Sequence, residues 1–212
     1  MRVLLVLTCL LAACLALRPK PCKSPPLLTG KLTVSTQNEE LWMYAKFLYD
    51  ALGERIRFYE VGKYMNTSYT KDYLLIYNKS TIYDINKDAK TCTKLPLKDK
   101  FLPLGVPKNA SLLGQAILGS SSGPGQGLLV NTWTGELPEK GGQYQMTLTA
   151  RGCIPVSFIL KTDRFGWMLT SYFDNVIGIP DPEQLIPPCF CKDAEMKNVK
   201  PLDFFSLFHQ KH

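Results

Sequence analysis

Apolar and polar residues alternate with a period of two through residues 143–177. Tyr144, Met146 and Leu148 are apolar, and Gln145, Thr147 and Thr149 between them are polar. That is the pattern of a half-buried strand, whose successive side chains point to opposite faces. Gly152-Cys153-Ile154-Pro155 interrupts it, and Val156, Phe158 and Leu160 resume it. Trp167, Leu169 and Phe173 then share a face opposite Met168, Thr170, Tyr172 and Asp174. Three such segments in succession predict an antiparallel meander with a cysteine at one bend.

The same pattern recurs elsewhere. Residues 31–37 and 128–133 read as strands, and residues 73–77 and 81–85 as a hairpin with Asn78-Lys79 at its tip. Residues 38–61 are ambiguous. Asn38-Glu39-Glu40 ahead of Leu41, Tyr44, Ala45 and Leu48 fits a capped helix. Leu41, Met43, Ala45, Phe47 and Tyr49 also alternate, which fits one arm of a hairpin, and periodicity leaves both readings open. Prolines at 96, 103 and 107 predict irregular structure over 95–118, and residues 119–127 read as a Gly/Ser/Pro loop. Prolines at 180, 182, 187 and 188 predict a rigid extended tail, and Phe204, Phe205, Leu207 and Phe208 a short terminal helix. Many short strands with turn chemistry between them indicate an antiparallel β architecture.

Composition sets the compartment. Met1-Arg2 precedes an apolar run over residues 3–16, the form of a secretory signal peptide cleaved near Ala16. The run is shorter than the ~20 residues a membrane-spanning helix needs. The expected organisation is therefore a signal peptide at 1–16 and one domain over 17–212, in a secreted or lumenal chain without a transmembrane segment. Five of the seven cysteines lie beyond the signal: Cys22, Cys92, Cys153, Cys189 and Cys191. In an oxidising compartment they predict disulfides with one thiol left over. Asn66, Asn78 and Asn109 each begin a glycosylation sequon. The formal charge of +7 is scattered, with no basic run or basic helix face, which disfavours nucleic acid as a partner.

Enzymatic chemistry finds little footing. The two histidines, His209 and His212, lie within the last four residues, a poor place for the general base of a triad or for a zinc ligand. Asp163, Asp174, Asp181 and Glu183 have no spacing that marks an acid/base pair. Asp84-Ile85-Asn86-Lys87-Asp88 starts like a calcium loop, but Ala89 stands where glycine is needed and Leu95 where the bidentate glutamate is needed. What remains is apolar surface. Trp133, Tyr144, Met146, Leu148, Val156, Phe158, Leu160, Trp167, Leu169 and Phe173 supply more large side chains than a flat, singly covered sheet uses. They form either ordinary core or the wall of a ligand pocket in a curved sheet.

Several motifs resemble the ependymin family of secreted glycoproteins: Arg18-Pro19-Lys20-Pro21-Cys22, Cys153-Ile154-Pro155-Val156, Asp181-Pro182 followed by Pro187-Pro188 and a cysteine, and Phe204-Phe205-Ser206-Leu207-Phe208-His209. The resemblance spans the chain beyond the signal. It implies a mainly β, single-domain fold with a strongly curved antiparallel sheet, similar to the bacterial lipoprotein-carrier fold, with few short helices and an apolar pocket. It implies that residues 41–61 form a hairpin, that Cys22 pairs with Cys153 and Cys92 with Cys191, and that Cys189 is free or intermolecular. A non-enzymatic binder of lipid-like molecules is the implied function, with homodimers, N-glycosylation, calcium association without a located site, and extracellular or lysosomal residence. The implied alternative is calcium-dependent cell–matrix adhesion through surface and glycans, with an extracellular-matrix component as partner.

Overall fold

The computed structural model describes residues 18–137 and 142–198. The expected signal peptide, the terminal helix over 203–208 and both histidines lie outside the described residues. The strands are β1 (Leu27–Thr36), β2 (Leu41–Asp50), β3 (Arg55–Tyr64), β4 (Thr67–Ile76), β5 (Thr81–Asn86), β6 (Thr91–Pro96), β7 (Ser111–Gly119), β8 (Gly127–Glu136), β9 (Gln143–Thr149), β10 (Pro155–Thr162) and β11 (Gly166–Ile177). They form one curved antiparallel sheet in the order β6-β5-β4-β3-β2-β1-β11-β10-β9-β8-β7. Two meanders thus join at the centre, where β1 pairs with β11, among the described residues the one ladder between strands distant in sequence.

The ambiguous residues 38–61 resolve as the β2–β3 hairpin. Burial explains the outcome. A helix would seat Leu41, Tyr44, Ala45 and Leu48 together and expose Met43, Phe47 and Tyr49 to water. The hairpin instead buries Leu41, Met43, Ala45, Phe47 and Tyr49 on one face. Its turn is locked by Asp50, which accepts from the Gly53 amide at 2.8 Å and pairs with Arg55 at 2.5 Å.

Each face of the sheet has its own cover. On the inner face, Leu32, Val34, Met43, Phe47, Phe58, Tyr73 and Leu75 pack with Leu97, Phe101 and Leu104 from the connection between β6 and β7. This strap is fixed by the Leu104 amide donating to the Tyr49 hydroxyl at 2.9 Å and by Phe101 stacking on Tyr49. Beside it, Cys22–Ser24 runs antiparallel to Leu104–Val106, with Ser24 N to Leu104 O at 3.1 Å and Val106 N to Cys22 O at 2.8 Å. Gly105 permits this approach, since a Cβ there would stand 2.8 Å from the Cys22 carbonyl oxygen. The Cys22–Cys153 disulfide then ties the strap's partner to the β9–β10 bend.

On the outer face, Leu48, Leu74, Ile76, Tyr83 and Ile85 are covered by the segment after β11, through Leu185 and Cys191. Buried Arg57 holds that segment. It pairs with both carboxylate oxygens of Asp72 at 2.8 Å and donates to the Gln184 carbonyl. The Cys92–Cys191 disulfide closes the other end.

Two expectations are corrected. Of the expected irregular stretch 95–118, residues 97–110 are irregular, but 95–96 end β6 and 111–118 lie in β7, so the proline-rich stretch ends before β7. The tail is not extended throughout. Single 3₁₀ turns form at Pro182–Leu185 and Cys189–Cys191, the first capped by the Asp181 carboxylate accepting from the Glu183 amide. Proline's fixed φ suits the first position of such a turn as well as an extended chain.

Candidate functional site: the inner face of β8 to β11

Strand register sorts the ten candidate wall residues. Phe158 stands between Met146 and Thr170, and Thr170 between Phe158 and Val34, so one inner row runs Met146, Phe158, Thr170, Val34, Met43. A second row runs Tyr144, Leu160, Met168, Thr36. Trp133 lies beside Met146 on β8. The inner face therefore gathers Trp133, Tyr144, Met146, Leu148, Phe158 and Leu160, with Val156 at the bulge where β10 shifts register against β9.

Trp167, Leu169 and Phe173 do not belong to that wall. Their strand partners are Lys161, Ile159 and Lys31, and they are 41%, 40% and 46% exposed. Alternation along β11 sends them to the outer face and brings Met168, Thr170 and Tyr172 inward. Met168, Thr170 and Tyr172 are inner-face residues absent from the expected set, legible in the sequence as the opposite half of the β11 alternation.

Part of the inner face is packed shut and part is accessible. Trp133, Tyr144, Leu148 and Leu160 are buried, and Trp133 and Leu148 meet Val106 and Cys153 beneath the strap. Met146, Ile154, Phe158 and Tyr172 are only half-buried. The Tyr144 and Phe158 rings stack at 6.1 Å, and Phe47 meets Tyr172 edge-on at 5.9 Å. Gly135 lets the Tyr144 ring cross β8, because a Cβ there would lie 2.7 Å from the phenol oxygen. Three buried polar atoms on this face, Tyr144 Oη, Trp133 Nε1 and Thr170 Oγ1, have no hydrogen-bond partner among the described residues. Such orphans are uncommon and call for a water or ligand group. Burial pushes the phenols of Tyr144 and Tyr172 above their ordinary pKa, so both are neutral donors at physiological pH.

Other candidate chemistry is dispersed. A groove of about 250 Å³ lined by Gly53, Arg55, Asn78, Lys79, Leu185 and Ile186 is smaller than the ~300–1,000 Å³ of typical ligand sites. Asp174 pairs with Lys31, Asp84 with Lys71, and Asp181 caps its own turn. Among the described residues, no three His, Cys, Asp or Glu side chains gather to hold a metal, so these carboxylates do not fit a calcium cage. Asn66, Asn78 and Asn109 are all exposed on turns; Asn66 shares with Met65 a two-residue hairpin turn of positive φ. Cys189 is exposed and unbridged.

These features define a mainly β, disulfide-braced protein with a concave apolar face. Residues 65–191 match the Ependymin family model, and the chain belongs to the ependymin family. It is 32% identical to Ependymin-2 of Carassius auratus, covering 96% of this chain and 95% of that one. It is 33% identical to Ependymin-1 of Oncorhynchus mykiss, covering 90% and 88%. Mammalian ependymin-related protein 1 of Rattus norvegicus is 27% identical, covering 86% and 81%. Among solved structures, an uncharacterised conserved protein from Thermus thermophilus shares the fold at TM-score 0.50 and 9% identity, covering 85% of this chain and 91% of that one. Membership in the family supports a secreted, extracellular protein. No helix among the described residues is long and apolar enough to cross a membrane.

Proposed function

We propose that this protein is a non-enzymatic binder of lipid-like molecules, held against the inner face beside Met146, Phe158 and Tyr172. One observation carries the reading: half-buried apolar side chains adjoin buried, unpartnered donors on Tyr144, Trp133 and Thr170. A mostly apolar site with a few fixed polar groups is the usual design for an amphiphile, whose chain takes the apolar wall and whose head takes the donors. The test is organic extraction of the purified protein and mass spectrometry of what is released. Wild type is expected to yield an amphiphile, and Met146→Trp, which fills the site, to yield much less at unchanged melting temperature. No bound amphiphile in wild type, or equal amounts in both proteins, would count against the site.

The protein acts as a homodimer in this proposal. All residues of edge strand β7 are exposed, the strand has no charged residue, and Leu113 and Ile117 are 62% and 45% exposed. The opposite edge is covered, since Lys94 of β6 bridges to Met196. A long, uncharged, bare edge invites another strand, and a second β7 supplies one. Ile117→Lys is expected to shift the protein to monomer in sedimentation.

Residence is extracellular, with lysosomal residence as a further expectation. The alternative of adhesion through the surface and its glycans draws support from the three exposed sequons. Calcium-dependent cell attachment that persists in Met146→Trp would favour it.

A further inference from the structure

Among the described residues, the outer face is covered only in part. The segment after β11 shields Leu48, Leu74, Ile76, Tyr83 and Ile85, while the outward side chains at the start of β2 and along β1, β11 and β10 are half-buried to exposed, apart from buried Thr29. Farther across the sheet, the outward positions of β8 and β9 are Thr132, Thr134, Gln145 and Thr147, an ordinary solvated face. The central strands differ. Trp42 is 53% exposed, Trp167 41%, Leu169 40%, Phe173 46% and Val176 56%. The three aromatic rings alone leave on the order of 300 Å² uncovered, the scale at which an exposed patch marks an interaction.

Cations are built into the same surface. Trp42 stands directly opposite Lys63, and Trp167 opposite Lys161, whose ammonium lies 5.9 Å from the indole centre. Lys46 is paired across the strands with Lys31. Like charges in that position destabilise a sheet. Asp174 offsets Lys31 alone, and Lys46, Lys63 and Lys161 make no ion pair among the described residues.

We propose that this outer face of β2, β1, β11 and β10 is a docking surface for an anionic lipid bilayer. Tryptophans flanked by lysines suit the headgroup boundary, where an indole is half-wet and an ammonium meets phosphate and carboxylate. Leu169, Phe173 and Val176 between them argue for a bilayer over a sulfated polysaccharide, which offers no apolar phase to bury them. A second copy is disfavoured because a two-fold contact would set the Lys31 and Lys46 rows against themselves. The surface is separate from the inner-face site, so each stands or falls alone.

The test is flotation of the intact secreted protein with phosphatidylcholine vesicles, with and without phosphatidylserine, followed by tryptophan emission. Binding and a blue shift are expected with phosphatidylserine only. Trp133 is buried, so the shift reports Trp42 and Trp167. Each lysine near an anionic surface is worth about fivefold in partitioning, so Lys46→Gln/Lys63→Gln/Lys161→Gln is expected to bind on the order of a hundredfold more weakly. Trp42→Ser/Trp167→Ser should lose the shift. Both variants change exposed positions, and circular dichroism confirms that they fold. Heparin binding without vesicle binding, self-association lost in the same variants, equal binding to neutral vesicles, or undiminished binding by either variant overturns the proposal.

Discussion

Replacing Arg57 by methionine is expected to be among the costliest single changes outside the apolar core. The Arg57 side chain is 3% exposed and that of Asp72 12%, and the two share a bidentate pair at 2.8 Å. The guanidinium also supplies the Gln184 carbonyl with a donor and lies 4.9 Å from the Tyr59 ring centre. Removing one member of a buried pair strands the other and costs ~3–5 kcal/mol. Lys87, 3.9 Å from Asp72 and more than half exposed, can lean in, so the lower end of about 3 kcal/mol is expected. With an m-value of ~2 kcal/mol/M, the urea midpoint should fall by about 1.5 M with disulfides intact. Arg57→Met/Asp72→Leu removes the stranded charge and should recover part of the loss. The reasoning would be refuted by a midpoint within about 0.3 M of wild type for the single variant, or by a double variant less stable than the single.

Further outcomes follow from the same contacts. Cys153→Ser opens a bridge spanning 131 residues, which the loop-entropy model values at about 5 kcal/mol, and should reduce secreted yield sharply; Cys189→Ser, at an unbridged thiol, should not. Equal yields from both would contradict this assignment. Burial raises the phenol pKa of Tyr49, Tyr59, Tyr144 and Tyr172. A raised folded-state pKa gives stability that is complete below the unfolded value of 10.0 and is lost as pH climbs through the folded values. Alkaline unfolding should therefore begin above about pH 10, with these tyrosines ionising as the chain opens, checked by ultraviolet tyrosinate titration against circular dichroism. Met65 sits at φ 44° in the β3–β4 turn, where glycine is unstrained, so Met65→Gly should raise stability by about 0.5–1 kcal/mol in the same urea assay.

How much of this was legible in the sequence depended on whether burial left a period behind. Residues 143–177 alternate because one face of β9, β10 and β11 meets the core and the other does not, so that meander could be read directly. β7 could not. Its face is exposed on both sides, so Leu112, Leu113, Ala116, Ile117 and Leu118 follow no period of two. The β2–β3 segment carried a strand period and a helix period together, and pairing with an aromatic partner strand decided between them.

The sequence by itself determined the strand-rich architecture and the three sequons, and the resemblance of its motifs to the ependymin family implied both disulfide pairs. Strand period, turn residues and sequons are local features, so they can be read without the fold. The tertiary structure decided which apolar residues share a surface. Trp133 and Phe158 are far apart in the chain, yet both neighbour Met146 across the sheet, while Trp167, Leu169 and Phe173, close to Phe158 in sequence, face outward. It also decided that Arg57 would bind the tail to one half of the outer face, leaving the other half uncovered by the described residues. Both outcomes depend on register and on which segment crosses which face: Met146 meets Trp133 and Phe158 through strand pairing, and Arg57 holds Gln184, 127 positions away, a contact that no local pattern records.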